Sequence, residues 1–333
     1  MSKFSNFLGI DVSKEYFDAV IILDSNKTNT IHNQFSNDIK GLKELVKWLK
    51  SFDSTNQNTL VCLEHTGMYG KVIIQYLLSK EFNLWVEMSL KIIRSIGVQR
   101  GKNDKIDAER IAYYALKNQD EVQIYQAPRK VIDQIKKLIS LREHLITTKA
   151  MLVRNSNELK GFEPELSKLH KRYSKATIIG IETDLKNIEK ALDNLIKSDE
   201  KLSNVFEKAT SVTGVGKVTA LFLICYTNEF KMYETPRQLA CYCGVVPFEY
   251  TSGKSVRAKP RVHFMANKKL KRQLHMCALS TIKTDGELKE YYERKVAEGK
   301  NKMLVLNNVR NKLIHRICAC LKNDKLYEKR NVA

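Results

Sequence analysis

Between residues 131 and 195 the apolar side chains fall on a seven-residue beat, and this constrains the fold more than any other feature of the chain. Val131, Leu138, Leu145, Leu152 and Leu159 recur every seven residues, a spacing that keeps one stripe of an α-helix turned toward a partner helix. The companion seam is diluted by Gln134, Thr148 and Asn155, and Gly161 and Pro164 interrupt the pattern. It resumes as Ile178, Ile181, Leu185, Ile188, Leu192 and Leu195, in alternating steps of three and four. Two long helices are predicted, paired as an intramolecular hairpin or serving as a coiled-coil contact between protomers, because periodicity gives a seam without its partner. They part the 333-residue chain into expected domains at 1–127, 128–205 and 206–333. Its length also favours division, since single cores stop growing near about 250–300 residues.

Ahead of these helices, strand and helix signals alternate. Residues 7–23 read as two strands joined at Ser13-Lys14, and Thr59 to Leu63 as a third that ends at Glu64. Leu84 to Glu87 is a further strand, and Leu42 to Leu49, Lys71 to Ser79 and Asp104 to Leu116 carry helical periods. Alternation of this kind implies an α/β layer. Beyond residue 206 the chain reads as mainly helical. Gly214-Val215-Gly216 forms a turn between two helices, and Leu270, Leu274, Cys277 and Ala278, then Leu306, Val309, Leu313, Ile317 and Leu321, make apolar stripes. Pro236, Pro247 and Pro260 are expected between elements.

Charge divides the chain at the same place. Residues 1–127 hold 16 basic and 15 acidic side chains, whereas 128–333 hold 41 and 22, so nearly all of the net +20 lies in the second part. From Tyr250 to Thr284 there are nine Lys and Arg and no acid. A solvated lysine-rich face accounts for one helix; a whole domain this basic points to a polyanion, nucleic acid first. The longest apolar run, Val218 to Tyr226, is too short to span a membrane, and the N-terminus carries no secretion pattern. Seven cysteines, an odd number in apolar settings, are expected as reduced thiols in a cytoplasmic protein. Cys241-x-Cys243 and Cys318-x-Cys320 lack zinc-knuckle spacing.

Four acids of the first part are set apart by position. Asp11 and Glu64 end predicted strands, and Asp104 and Asp107 lie three apart at a helix start, on one face. Such a set would form an all-oxygen cage for Mg²⁺ or Mn²⁺. Uncompensated, four clustered carboxylates cost several kcal/mol. Taken singly, each has a bland reading: Asp104 a helix N-cap, Asp107 a favourable first-turn acid, Glu64 a solvated strand end. Gly214, Gly216 and Lys217 suggest a helix-hairpin-helix that approaches a phosphate, or simply a C-cap and turn.

GIDVSK with Asp11, LEHTGMYG with Glu64 and RGKNDKIDAERIA with Asp104 and Asp107 resemble the RuvC-like, RNase H-fold domain of the DEDD transposases. These are insertion-sequence recombinases guided by a bridge RNA. TSVTGVGKVTALFLI, RQLACYCGVVPFEYTSGKSVRAK and HFMANKKLKRQLHMCAL resemble that family's second, transposase domain. Asn103 stands where the family often has Thr, and Ala258 where Gly is common; neither change removes a catalytic group. The resemblance implies an α/β RNase H-like (RuvC-like) domain, a coiled-coil middle and a mainly α C-terminal domain. It implies Ser252 as nucleophile, with Ser255 the rival, and Mg²⁺ on the four acids. It implies DNA and a noncoding guide RNA as partners and a homo-oligomer in which the active site is shared between protomers. A serine attacking a phosphodiester needs cations nearby, and Lys254, Arg257, Lys259 and Arg261 follow it in sequence. Together with Gly214, Gly216, Lys217, Lys268, Lys269 and Arg272 they are the expected nucleic-acid contacts.

The expected function is therefore a DNA transposase that cuts and rejoins strands through a phosphoserine link. The alternatives are a junction-resolving metal nuclease that uses the acids alone, and a non-catalytic nucleic-acid scaffold.

Overall fold

The computed structural model describes residues 4–65, 67–96, 103–252 and 256–328. The chain forms two compact units, Met1–Ala127 and Pro128–Ala333.

In the first unit the elements run β1 (Asn6–Val12), β2 (Tyr16–Ile22), β3 (Thr30–Ser36), α1 (Ile39–Lys50), β4 (Thr59–Glu64), α2 (Tyr69–Ser79), β5 (Asn83–Glu87), α3 (Ser89–Ile96) and α4 (Asp104–Lys117). The five strands make one sheet in the order β3-β2-β1-β4-β5. The first three are antiparallel neighbours, while β4 and β5 continue the sheet in parallel with β1. Apolar residues fill both faces of the central strands, as a sheet covered on both sides requires. Leu8 and Ile10 join Leu42, Leu45 and Leu49 of α1 and Ile73 and Leu77 of α2. On the other face Phe7, Cys62 and Trp85 pack with Ala108, Ile111 and Ala112 of α4.

Two elements of this unit escape sequence reading. β3 (Thr-Ile-His-Asn-Gln-Phe-Ser) buries only Phe35; it becomes a strand because the edge of β2 offers it a ladder, not through its own pattern. α3 is an eight-residue helix between β5 and α4.

The second unit opens with α5 (Lys130–Leu159) and α6 (Pro164–Lys197), which Gly161 separates and Pro164 starts. They lie antiparallel: Arg142 bonds Glu189 and Lys149 bonds Glu182, each at 2.6 Å, and Ser167 Oγ donates to the Ser156 carbonyl at 2.7 Å. Of the two pairings left open by the seam, the intramolecular hairpin is formed. Ile181, Ile188 and Leu192 are buried as expected, but on α5 the deep residues are Ile132, Ile135 and Ile139, while Val131, Leu138 and Leu145 are half-buried. The shift arises because the base of the hairpin packs on other helices as well as on itself.

Those helices are α7 (Glu200–Ser211), α8 (Lys217–Tyr226), α9 (Pro236–Tyr242), α10 (Lys268–Thr281), α11 (Glu287–Ala297) and α12 (Lys302–Lys322), with a hairpin of β6 (Phe248–Ser252) and β7 (Val256–Arg261) before α10. α8 is apolar all round and lies at the centre, its Leu221, Phe222, Leu223 and Ile224 at most 1% exposed. The buried stripes of α10 and α12 match expectation, and one core joins them to Ile132, Ile135, Ile188 and Leu192 of the long helices. One expectation is corrected: Pro260 lies inside β7, where a two-stranded ribbon tolerates a missing N–H. Thr251 and Ser252 are the last residues of β6.

One junction in this unit is strained. Asn228, Glu229 and Phe230 are all left-handed, with φ of 48°, 58° and 64°. Arg129 holds the middle residue, donating to both Glu229 carboxylate oxygens and, at 2.6 Å, to Asp199. Among the described residues no helix is long and apolar enough to cross a membrane.

Candidate active site

β1 and β4 run side by side with Ile10 opposite Leu63, so Asp11 and Glu64 emerge at the same edge of the sheet. α4 lies close over β1 because residue 9 is glycine: a Cβ there would stand 2.2 Å from the Ala108 carbonyl and from the Ala112 amide. That close approach brings the first turn of α4, with Asp104 and Asp107, over the strand that carries Asp11. Asn103, not Asp104, caps the helix, its side chain accepting from the Lys105 amide at 3.0 Å. The N-cap reading of Asp104 is thereby corrected, and both acids are left as first-turn carboxylates.

The four acids are half-buried and share one electrostatic field. The Asp11 carboxyl is pushed up from 3.8 to about 6, first by burial and then by Glu64, Asp104 and Asp107. Each of those three has its own anchor. Ser89 Oγ donates to Glu64 at 2.6 Å, Tyr16 Oη to Asp104 at 3.3 Å, and Arg110 pairs with Asp107 at 2.7 Å. Glu64 is therefore not the solvated strand end of its bland reading. Among the described residues no three His, Cys, Asp or Glu side chains stand at metal-closing distance. The donor chemistry nonetheless fits a hard divalent cation: carboxylate oxygens only, with a repulsion that such an ion would relieve.

Sequence reading missed part of this edge. Glu87 pairs in register with Glu64 and accepts from Tyr114 Oη at 3.2 Å and Lys91 at 2.9 Å. Its place at the end of a predicted strand was the available signal. Asp18, opposite Asp11 in register, is 3% exposed and is held by His32 at 2.6 Å and Gln34 at 3.0 Å. An acid inside the apolar run of β2 was its signal. Nothing in sequence marked Tyr16 or Ser89.

In the second unit Ser252 is the last residue of β6, paired with Val256. Lys254 and Ser255 lie outside the described residues. Arg257 and Lys259 belong to β7, and Arg261 ends it opposite Phe248. Arg261 and Lys268 are exposed. Lys269 and Arg272 instead share Glu143 of α5, at 2.6 and 2.5 Å. Lys217 reaches Glu189 at 3.0 Å and Asp193 at 2.8 Å, tying α8 to α6. Gly214 has φ +88° and a Cβ there would meet Thr281 Oγ1 at 2.0 Å, so its glycine serves packing as well as the turn. Gly216 caps α8 and faces open space. The seven cysteines are free thiols. Burial raises those of Cys62, Cys225, Cys243, Cys277, Cys318 and Cys320.

Comparison with known proteins supplies the family. Residues 8–162 match the family model of the DEDD transposases of IS110, described as Transposase. Residues 207–293 match that described as Transposase IS116/IS110/IS902 family. The pilin gene-inverting protein of Moraxella bovis is 24% identical over 99% of both chains. The transposase for insertion sequence element IS1111A of Coxiella burnetii is 23% identical over 47% of this chain and 48% of its own. An uncharacterized 43.6 kDa protein of insertion element IS110 from Streptomyces coelicolor is 31% identical over 36% of this chain and 30% of its own. With two family models matched in order along most of its length, the chain belongs to the IS116/IS110/IS902 family of transposases.

Proposed function

We propose that this transposase is an RNA-guided DNA recombinase that cuts and rejoins strands through Ser252, with Mg²⁺ or Mn²⁺ on Asp11, Glu64, Asp104 and Asp107. The observation that carries the reading is the shared field of the four acids, which holds Asp11 near 6. Half-buried carboxylates that repel one another are poor scaffolding and good cation ligands. The sheet order, three antiparallel strands followed by two parallel ones, supports an RNase H-like first unit.

A bound divalent cation would supply Lewis-acid stabilisation of a phosphoryl oxygen. The chain's own groups do the rest. Ser252 Oγ gives up its proton and attacks phosphorus, an Oγ–P bond forms, and the bond to the 3′-oxygen breaks as that oxygen takes up a proton, with no net proton consumed. A 3′-hydroxyl then attacks the phosphoserine in reverse, so resealing needs no ATP. The basic stretch from Lys254 to Arg261 would neutralise the crowded phosphorane. The Moraxella relatives, aligned end to end and named for gene inversion, support cutting with rejoining over cutting alone. Base choice falls to a guide RNA, and oligomers would form on the outer faces of the α5–α6 hairpin, where Leu141, Ile146 and Ile179 are exposed.

The test is a nicked suicide DNA substrate with guide RNA and Mg²⁺, followed by denaturing gels and mass spectrometry. The expected product is DNA linked to the peptide containing Ser252, absent from Ser252→Ala. If Ser252→Ala cleaves at the wild-type rate, the reading fails and a water-activating nuclease replaces it. A chain that binds nucleic acid identically in EDTA and never breaks a strand would be a scaffold.

A further inference from the structure

Among the described residues, the second unit buries a cation that no acid accompanies. Arg310, on α12 between the core residues Val309 and Leu313, is 5% exposed, and its Nε has no hydrogen-bond partner. Burial alone governs its basicity, which falls; no carboxylate offsets the loss. The contrast with Arg129, which two acids clasp, is sharp. On α10, which packs against α12, His275 has its Nδ1 also buried without a partner. Desolvation and then the Arg310 charge hold this imidazole toward its neutral form.

A guanidinium has five donors and keeps its proton. Burying one without a counter-ion is among the costliest arrangements a fold can hold, and Met or Leu would fill such a helix position without that cost. The core therefore gives no reason for Arg310. We propose that Arg310 and His275 form an oxyanion site that takes a phosphodiester of the bound nucleic acid. Arginine suits the ligand, since its planar fork matches phosphate oxygens.

The site's place in the fold gives it a use. Asn307, one turn before Arg310, donates to the Val245 carbonyl at 2.6 Å. Lys271, one turn before His275, lies 3.4 Å from where a Cβ of Gly244 would be. Residues 244–247 lead directly into β6, whose last residue is Ser252. A phosphate held by Arg310 would thus anchor the backbone near the root of the serine-bearing hairpin and fix its register without reading bases.

The ligand rests on the nucleic-acid reading above; the site rests on Arg310 and His275 themselves. Full-length wild type, Arg310→Met and His275→Phe are melted in chloride and in phosphate of equal ionic strength. Each is then titrated with duplex DNA, single-stranded DNA and RNA of one length at several salt concentrations. Phosphate is expected to raise the wild-type Tm and to leave both variants unmoved. In chloride Arg310→Met melts at or above wild type, because an unpaired charge has gone. For the strand that uses the site, affinity falls roughly tenfold or more, and the salt slope drops by about 0.9 for a duplex or 0.7 for a single strand. An Arg310→Met protein that melts lower, with phosphate response and salt slopes intact, would overturn the site and make the guanidinium structural. If Arg310→Met does not fold, His275→Phe decides, since a retained phosphate response in it overturns the site. Wild type that gains Tm from phosphate through Arg310 yet binds no oligonucleotide would keep the site and defeat the nucleic-acid reading.

Discussion

Gly9 and Ala112 are in such close approach that no side chain fits between them: a Cβ on Gly9 would stand 2.2 Å from the Ala112 amide nitrogen. The contact sets the height of α4 above β1, and with it the separation of Asp104 and Asp107 from Asp11. Gly9→Ala must lift the helix or bend the strand. Overpacking of this kind costs about 1–3 kcal/mol, read as a lower denaturant midpoint. Mn²⁺ affinity measured by calorimetry is expected to fall with it, because the first turn of α4 moves away. A variant of unchanged stability and affinity would show that the helix height does not matter.

The raised Asp11 carboxyl makes a pH prediction of definite sign. Its pKa in the folded chain, about 6, exceeds the ordinary 3.8, so the folded state holds the proton more tightly than the unfolded one. Its contribution to stability in EDTA is therefore present at low pH and is lost as pH climbs from about 4 to about 6. Cation binding needs the ionised carboxylate and should strengthen over the same window. The comparison is wild type against Asp11→Asn, by melting in EDTA and by Mn²⁺ titration from pH 5 to 8. Identical pH profiles for the two proteins would contradict the prediction.

Glu143 holds Lys269 and Arg272 at 2.6 and 2.5 Å, so two of the expected nucleic-acid cations are already engaged by an acid of α5. Glu143→Gln should free them. DNA affinity is then expected to rise, with the salt slope steepening by up to about 0.9 for each cation released to a duplex phosphate. Weaker binding by the variant would mean that the pairs serve as scaffolding.

Arg129 restrains a strained turn. Left-handed backbone at a non-glycine residue costs about 1–2 kcal/mol, and three such residues run from Asn228 to Phe230. Glu229, whose side chain is 4% exposed, keeps only the exposed Lys231 at 3.3 Å as a partner if Arg129 is removed. Arg129→Gln is expected to destabilise the chain by about 3 kcal/mol, measured by urea unfolding. Adding Glu229→Gln should recover part of that loss, and a double variant no more stable than the single would refute the ion-pair account.

How far these residues could be read in advance follows from where their information sits. Asp11, Glu64, Asp104 and Asp107 were legible because strand ends and a helix start are local patterns, and the family motifs surround each one. Local pattern also placed α4, α8 and the stripes of α10 and α12. β3 and the β6–β7 hairpin were not legible, since a polar edge strand is defined by the neighbour it pairs with and not by its own alternation. The bland role suggested for Asp104 changed for a related reason, since Asn103 takes the cap; Lys217, expected near a phosphate, has Glu189 and Asp193 as its partners.

Taken alone, the sequence determined the α/β character of the first part, the two long helices, the excess of positive charge after residue 128 and the four acids, because propensity, period and charge are properties of short stretches. Only the tertiary structure decided that the seam closes on itself as a hairpin, that Gly9 sets the helix over the acids, and that Ser89 and Tyr16 hold two of them. It alone left Arg310 without a counter-ion among the described residues. Those outcomes depend on distances between residues far apart in the chain, and such distances exist only once burial has chosen which surfaces meet.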